Sequence, residues 1–466
     1  MVDGLATGLL ANGIKKGDRL AIISKNCIEY FALYGAAARI GSIVVPVNWR
    51  LSRSEIQYIL SDTTPKLVFA DLEFRNLIRE ILSDFHFVKR FYSTSGSGER
   101  LPFLSFDELG GDPELQDKIS VLSDDPFVIM HTAAVGGKPR GAILTYRNLI
   151  SASMDYIVAL SLNEKDVHLA FLPLFHIACL GMAMAVLHAG GKNIIMPKFD
   201  TQIALKYIEQ EKVTLILDFP PVLSNLLEEA KESPRRLSSI RRVVGIDRPE
   251  TINELEKMTK SRFVVAYGQT ELSGVASLGC FYERPGSAGR PGLLTNIRLV
   301  DDFDNQVSAG ETGEVTVRGP SVFNGYWKLK KETEYTFRNG WHHTGDLARF
   351  DEGGYLWYVG RKPEKELIKP GGENVYPAEV EAIILEHPAI KEVCVIGVQD
   401  PDWKEAIKAV CVLKPDESLA AEDLIQFVGS KISKYKRPRY VEITAEFPRL
   451  SDGSIDREKI KRNFGT

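Results

Sequence analysis

Short runs of aliphatic and β-branched residues alternate with amphipathic stretches along most of this chain, and few folds accommodate that alternation. Leu20–Ile23, Ile43–Pro46 and Lys66–Ala70 read as buried strands, with helices predicted over Cys27–Ile40 and Ser54–Ser61. The pattern returns at Val213–Leu217 and Phe263–Ala266. Strands separated by helix-length stretches predict an α/β architecture. From Gly286 the texture changes to turns and short strands, among them Gly313–Gly319, which predicts a small β-rich subdomain. After Gly360 it changes again. A helix over Pro377–Glu386 and strands at Val393–Ile396 and Lys408–Leu413 predict a separate, small α+β domain.

A chain of 466 residues exceeds what one ordinary core organises. The expected division is a large N-terminal domain over 1–362, built of α/β subdomains plus the β-rich one, and a C-terminal domain over 367–466. The charged Lys362–Glu366 is the natural linker. A formal net charge of −4 gives no basic face for nucleic acid. No apolar stretch reaches the roughly 18 residues a membrane span needs. The five cysteines (Cys27, Cys179, Cys280, Cys394, Cys411) form no metal-binding spacing and read as reduced thiols of a cytoplasmic protein.

Four segments, in order, carry the chemistry. Tyr267-Gly268-Gln269-Thr270-Glu271 places a ring, a hydroxyl and a carboxylate at a strand-to-turn junction. These suit a purine face, a phosphate and a hard cation such as Mg²⁺. His343-Thr344-Gly345-Asp346 offers a carboxylate able to bind both hydroxyls of a ribose, and Gly360-Arg361 adds a cation. Gly371-Gly372-Glu373-Asn374-Val375-Tyr376-Pro377 brings glycines that permit close backbone approach. Upstream, the glycine-rich stretch from His131 to Gly141 follows a strand over Pro126–Met130 and is expected to precede a helix. It could present backbone N–H groups to phosphates. Taken alone, that loop also reads as an ordinary surface turn.

Together, in this order, these segments resemble the adenylate-forming superfamily, which includes acyl- and aryl-CoA synthetases, luciferases and peptide-synthetase adenylation domains. The resemblance runs over almost the whole chain. It implies that Thr270 and Glu271 are catalytic, with Glu271 holding Mg²⁺. It implies nucleotide contacts from Thr132, Gly136, Gly137, Lys138, Arg140, Gly245, Tyr267, Gly268, Gln269, Thr270, Asp346 and Arg361, with Tyr267 stacked on adenine. His176, Ile177, Cys179 and Phe219 would wall an apolar carboxylic-acid pocket. Gly371, Gly372 and Glu373 would lie along coenzyme A, and Glu366 would be the hinge of a mobile C-terminal domain.

Departures from the family pattern accompany the matches. Ala133, Val135 and Gly136 replace three hydroxyl positions of the family's phosphate loop, and of the family's adenine-contacting turn only Gly245 and Pro249 survive in Val244–Pro249. Two additional residues are placed at Pro363-Glu364. In Pro448-Arg449-Leu450-Ser451-Asp452-Gly453-Ser454, Ser454 stands where the family carries its adenylation lysine. Loss of such a preorganised contact costs on the order of 10²–10³ in rate. The chain also reads as lacking about forty residues that family members place first, leaving a shortened edge of the N-terminal domain.

The implied activity is an AMP-forming acid–CoA ligase acting on an aliphatic, alicyclic or aromatic acid, with ATP, Mg²⁺ and coenzyme A. Its setting would be the cytoplasm, without nucleic acid or a membrane span, and dimers are frequent among similar enzymes. Two alternatives stay open at this point: a degenerate homologue that binds nucleotide or acyl-adenylate with little adenylation, and one that retains only thioester formation.

Overall fold

The computed structural model describes residues 1–94, 102–112, 119–132, 139–362, 366–450 and 454–465. They form two compact units. The first takes in Met1–Trp49, Leu60–His131 and Gly141–Gly360; the second takes in Arg50–Ile59, the described ends of Thr132–Arg140, and Arg361–Thr466.

The first unit holds three sheets. Strands β1 (Arg19–Ile23), β2 (Ile43–Pro46), β3 (Leu67–Ala70), β4 (Arg90–Ser93), β5 (Phe103–Ser105), β6 (Pro126–Thr132) and β7 (Arg140–Thr145) form one, in the order β5-β4-β3-β1-β2-β6-β7. Strands β8 (Val167–Ala170), β9 (Lys192–Ile195), β10 (Leu215–Asp218), β11 (Arg242–Gly245), β12 (Arg262–Tyr267), β13 (Ser277–Cys280) and β14 (Arg290–Pro291) form the second, in the order β14-β13-β12-β11-β10-β8-β9. Pairings among β8, β9, β10, β11 and β12 are parallel, and β13 and β14 close the edge antiparallel. The third sheet contains β15 (Asn296–Val300), β16 (Gly313–Arg318), β17 (Phe337–Arg338), β18 (Trp341–Phe350) and β19 (Leu356–Arg361), and is the expected β-rich subdomain.

One helix explains how two parallel sheets share a unit. Ile177–His188 (IACLGMAMAVLH) is apolar on every face, a composition that suits burial all round. Ile177, Cys179, Leu180 and Met184 join the core of the first sheet, whereas Met182, Ala185 and Val186 join a cluster with Tyr156 and β10. Asn26 adds a polar tie between the sheets. Its buried amide donates to Leu172 O at 2.7 Å and accepts from Leu174 N at 2.8 Å, so the loop after β8 is fixed from the first sheet.

One local expectation is corrected. The glycine-rich stretch is followed by β7, not by a helix; the helix Tyr146–Leu160 starts only after that strand, behind a Thr145–Asn148 capping box. Arg140–Thr145 pairs beside β6 as a strand, so the helix that the phosphate argument expected directly after the stretch begins only at Tyr146.

The second unit contains β20 (Ile390–Asp400), β21 (Lys404–Leu413) and β22 (Tyr440–Ile443), with the helix Pro377–Ile384 on the core side of β20. Lys436, buried, is bracketed by the carboxylates of Glu55 and Glu379. A charge this deep is tolerated only when paired, and the two carboxylates supply that pairing.

His168 on β8 gives the first unit a measurable acid sensitivity. Complete burial lowers its ring from 6.5 to about 4, against the opposing hydrogen bond that its Nδ1 donates to Asn193 Oδ1 at 2.8 Å. A depressed folded value means the unfolded chain binds the proton first. Stability from this group is therefore present above 6.5 and is lost as pH falls toward 4. Urea titrations across that window are expected to show a slope smaller by about one proton in His168→Asn than in the parent. Identical slopes would contradict the assignment.

Candidate active site

The candidate site lies where the parallel strands of the second sheet end. Taken from β8, the chain steps to β9 on one side and then to β10, β11 and β12 on the other, so the order reverses between β8 and β10. Open parallel sheets bind ligands outside the carboxyl ends of their strands at such a reversal. Here β10 ends at Asp218, β11 at Gly245 and β12 at Tyr267, in the register Asp218↔Gly245 and Gly245↔Val265.

After β12 the chain turns sharply. Gly268 is required there, because a Cβ would come within 2.3 Å of Gly274 O. Thr270–Leu272 then form one 3₁₀ turn, which buries Glu271 and leaves Thr270 partly exposed. The structure brings Tyr267, Gln269 and Asp346 together. Tyr267 Oη donates to Asp346 Oδ2 at 2.8 Å, and Gln269 Nε2 donates to the same oxygen at 2.6 Å and to Thr344 O at 3.2 Å. The Tyr267 ring lies 6.3 Å from that of Tyr358, tilted by 38°.

Asp346 itself sits in a sharp bend of β18. Gly345 adopts φ 74°, and its amide donates to Glu314 Oε1 at 3.0 Å; Thr344 Oγ1 donates to Val315 O at 2.7 Å. Glu314, 4% exposed, thus supports the bend from the neighbouring strand. Glu271 receives a hydrogen bond from Tyr326 Oη at 2.8 Å on its Oε1. Glu314, Tyr326 and Tyr358 escaped the sequence reading. The only local signal was the cluster of aromatic residues in Phe323-Asn324-Gly325-Tyr326-Trp327.

Glu271 offers a carboxylate, the oxygen chemistry a hard cation prefers. Among the described residues no group of three or more His, Cys, Asp or Glu side chains could cage a metal. Mg²⁺ at Glu271 would therefore take its remaining ligands from phosphate oxygens and water, its usual habit.

The predicted acid-pocket residues are only partly gathered. His176 caps the helix Ile177–His188, beside the Phe175 ring at 4.5 Å, and Phe219 follows β10 with 37% exposure; both flank the strand reversal. Ile177 touches Gly274 in the turn after Glu271, its Cγ1 3.2 Å from where a Cβ would stand. Cys179 is fully buried in the first-sheet core with Tyr30 and Tyr34.

In the second unit, Thr132 Oγ1 lies 3.5 Å from Arg140 O, at the ends of the loop. Gly136, Gly137 and Lys138 lie outside the described residues, as do Ala133, Val135 and Pro363-Glu364. Arg361 ends β19. Glu366 pairs with Arg457 Nε at 3.1 Å and Lys461 Nζ at 2.8 Å. Gly371 and Gly372 adopt φ 58° and 86° in a 3₁₀ turn, and Glu373 pairs with Arg50 at 3.0 Å. Ser454 is exposed, at the end of a short bridge in which its carbonyl accepts from Leu450 N at 2.9 Å. Lys459 is exposed, and Lys461 is committed to Glu366 and Glu458.

Comparison with known proteins agrees with this geometry. Residues 1–327 match the AMP-binding enzyme model, and residues 379–453 match the AMP-binding enzyme C-terminal domain. A feruloyl-CoA synthase from Amycolatopsis is 33% identical over 99% of this chain and 92% of its own length. An indoleacetate–CoA ligase from Aromatoleum aromaticum is also 33% identical, over 99% and 91%. Among solved structures, a double mutant of o-succinylbenzoate CoA synthetase from Bacillus subtilis, bound with a product analogue, superposes with a TM-score of 0.85. It is 28% identical, over 99% of this chain and 92% of that one.

The close approach at Gly245 gives a direct structural test. With φ 156°, a Cβ there would stand 1.8 Å from Asp218 O, so β10 and β11 cannot stay level at the site once a side chain is present. Gly245→Ala is expected to cost about 2 kcal/mol or more in urea unfolding. An unchanged midpoint would contradict this packing.

Proposed function

The chain belongs to the AMP-binding enzyme family, and we propose on that premise that it is an AMP-forming acid–CoA ligase whose adenylation step is slowed by serine at position 454. The observation that carries the reading is the convergence of Tyr267, Gln269 and Asp346 beside the buried Glu271 at the ends of the parallel strands.

In the first half-reaction a carboxylate oxygen of the acid attacks the α-phosphorus of ATP. The bond to pyrophosphate breaks and an acyl-adenylate forms. In the second, the coenzyme A sulfur attacks the acyl carbonyl, its proton is lost, and AMP leaves with the bonding electrons. The hydrogen bonds from Tyr267 and Gln269 that hold Asp346 support its role as the acceptor of ribose hydroxyls. Because Tyr267 uses its hydroxyl in this way, its role extends beyond stacking on adenine. Thr270 offers a donor for the α-phosphate, and Glu271 a ligand for Mg²⁺, which when bound would offset phosphate charge. His176 and Phe219 border the acid. Relatives named for feruloyl and indoleacetate thioesters support testing aromatic acids first. All five cysteines are free, which supports a reducing, cytoplasmic setting, while a homodimer rests on the family resemblance alone.

Ser454 has no long cation to place where charge develops between the substrate carboxylate and the α-phosphate, and the committed Lys461 is a poor substitute. Incubation with ATP, Mg²⁺, coenzyme A and a panel of aromatic and aliphatic acids is expected to yield an acyl-CoA and AMP by mass spectrometry. Ser454→Lys should speed AMP release by on the order of tenfold or more. No thioester from either protein would sink the ligase reading. Thioester formation with no gain in the variant would contradict the role given to position 454.

A further inference from the structure

Residues 320–327 run between the turn that carries Glu271 and the strand Arg140–Thr145, and they bond to both. On one side Phe323 N donates to Glu271 O at 2.9 Å, and Ser273 Oγ donates to Ser321 O at 2.8 Å. On the other, Ile143 N donates to Gly325 O at 3.0 Å, Asn324 N to Ile143 O at 3.0 Å and Trp327 N to Gly141 O at 2.7 Å. Asn148 closes the connection by donating its amide to Pro320 O and Val322 O, each at 2.8 Å. The segment thereby ties the strand that leaves the glycine-rich loop to the turn that carries Glu271.

Tyr326 is where both ties meet. Its backbone bridges Ala142, its amide donates to Thr333 Oγ1 at 2.9 Å, and its hydroxyl reaches Glu271 Oε1 at 2.8 Å. The ring is 4% exposed and meets Phe323 edge-on at 4.9 Å, while Phe323 stacks on Phe337 at 5.4 Å. A rigid aromatic with a packed ring aims its hydroxyl with little freedom. A glutamate has three rotatable bonds and needs that kind of anchor to present a fixed oxygen.

We propose that Tyr326 is a positioning residue for the Glu271 carboxylate, setting the affinity of the nucleotide site for its divalent cation. The proposal rests on the reading of Glu271 as a Mg²⁺ ligand. The hydroxyl donates to one carboxylate oxygen and so fixes the direction in which the group presents itself to a cation. Partners of this kind around a metal ligand are worth roughly 10- to 100-fold in metal affinity when removed.

The test measures binding of a non-hydrolysable ATP analogue by calorimetry across a Mg²⁺ series and in EDTA, for the parent, Tyr326→Phe, Glu271→Ala and the double variant. Tyr326→Phe is expected to raise the Mg²⁺ concentration for half-maximal binding by on the order of tenfold. Binding in EDTA, coenzyme A binding and the thermal midpoint should change little. The double variant should match Glu271→Ala. Equal losses with and without Mg²⁺, or a large fall in thermal midpoint, would mean a structural role and overturn the proposal. An unchanged Mg²⁺ requirement in Tyr326→Phe, with a raised one in Glu271→Ala, would overturn it while leaving Glu271 as ligand. No effect from Glu271→Ala would remove both.

Discussion

The carboxyl ends of β10, β11 and β12 stop level because Asp218 is paired with Gly245 and Gly245 with Val265, in parallel register. That register is possible only while position 245 carries no side chain, since Asp218 O fills the space a Cβ would take. Everything polar at the site is referred to this edge. Tyr267 leaves β12 one residue before the Gly268 turn, and its hydroxyl reaches Asp346 on a different sheet. The site is thus assembled from two sheets of one unit, and its charged groups are held by neighbours before any ligand arrives. Preorganisation of this kind lowers the cost of ordering groups around a triphosphate.

Glu271 and Asp346 illustrate two ways of keeping a carboxylate ready. Asp346 has its Oδ2 shared by Tyr267 and Gln269, and its backbone bent by Gly345 over Glu314. Glu271 is buried in a single 3₁₀ turn and depends on a segment fifty residues further along the chain, through a backbone bond and one hydroxyl. A buried carboxylate without such partners would be costly. Both arrangements place aromatic hydroxyls on acid groups, and in both the aromatic ring supplies the rigidity.

The fold was largely legible in the sequence because its strands are short aliphatic runs with turn residues at each end. Ile43–Pro46 appears as expected, and Lys66–Ala70 and Phe263–Ala266 differ from the observed strands by a residue or so. The strand after the glycine-rich loop was missed since Arg140–Thr145 is short and runs into a capped helix, so the helical signal dominated. At the site, the spacing of Tyr267, Glu271 and Asp346 pointed to one cluster, whereas Glu314 and Tyr326 could not be found that way. Their roles come from cross-strand and loop-to-turn contacts far apart in sequence. The depth of Cys179 was equally hidden: adjacency to His176 in the chain says nothing of its burial beside Tyr30 and Tyr34 in the first-sheet core.

The central claim is that this site forms an acyl-adenylate, and exchange of labelled pyrophosphate into ATP, run without coenzyme A, measures that step alone. The account predicts exchange that depends on an added carboxylic acid, slow in the parent chain and dependent on Mg²⁺. Silence with every acid tested, under conditions where ATP and Mg²⁺ demonstrably bind, would contradict it and leave a nucleotide-binding site that has lost its first step.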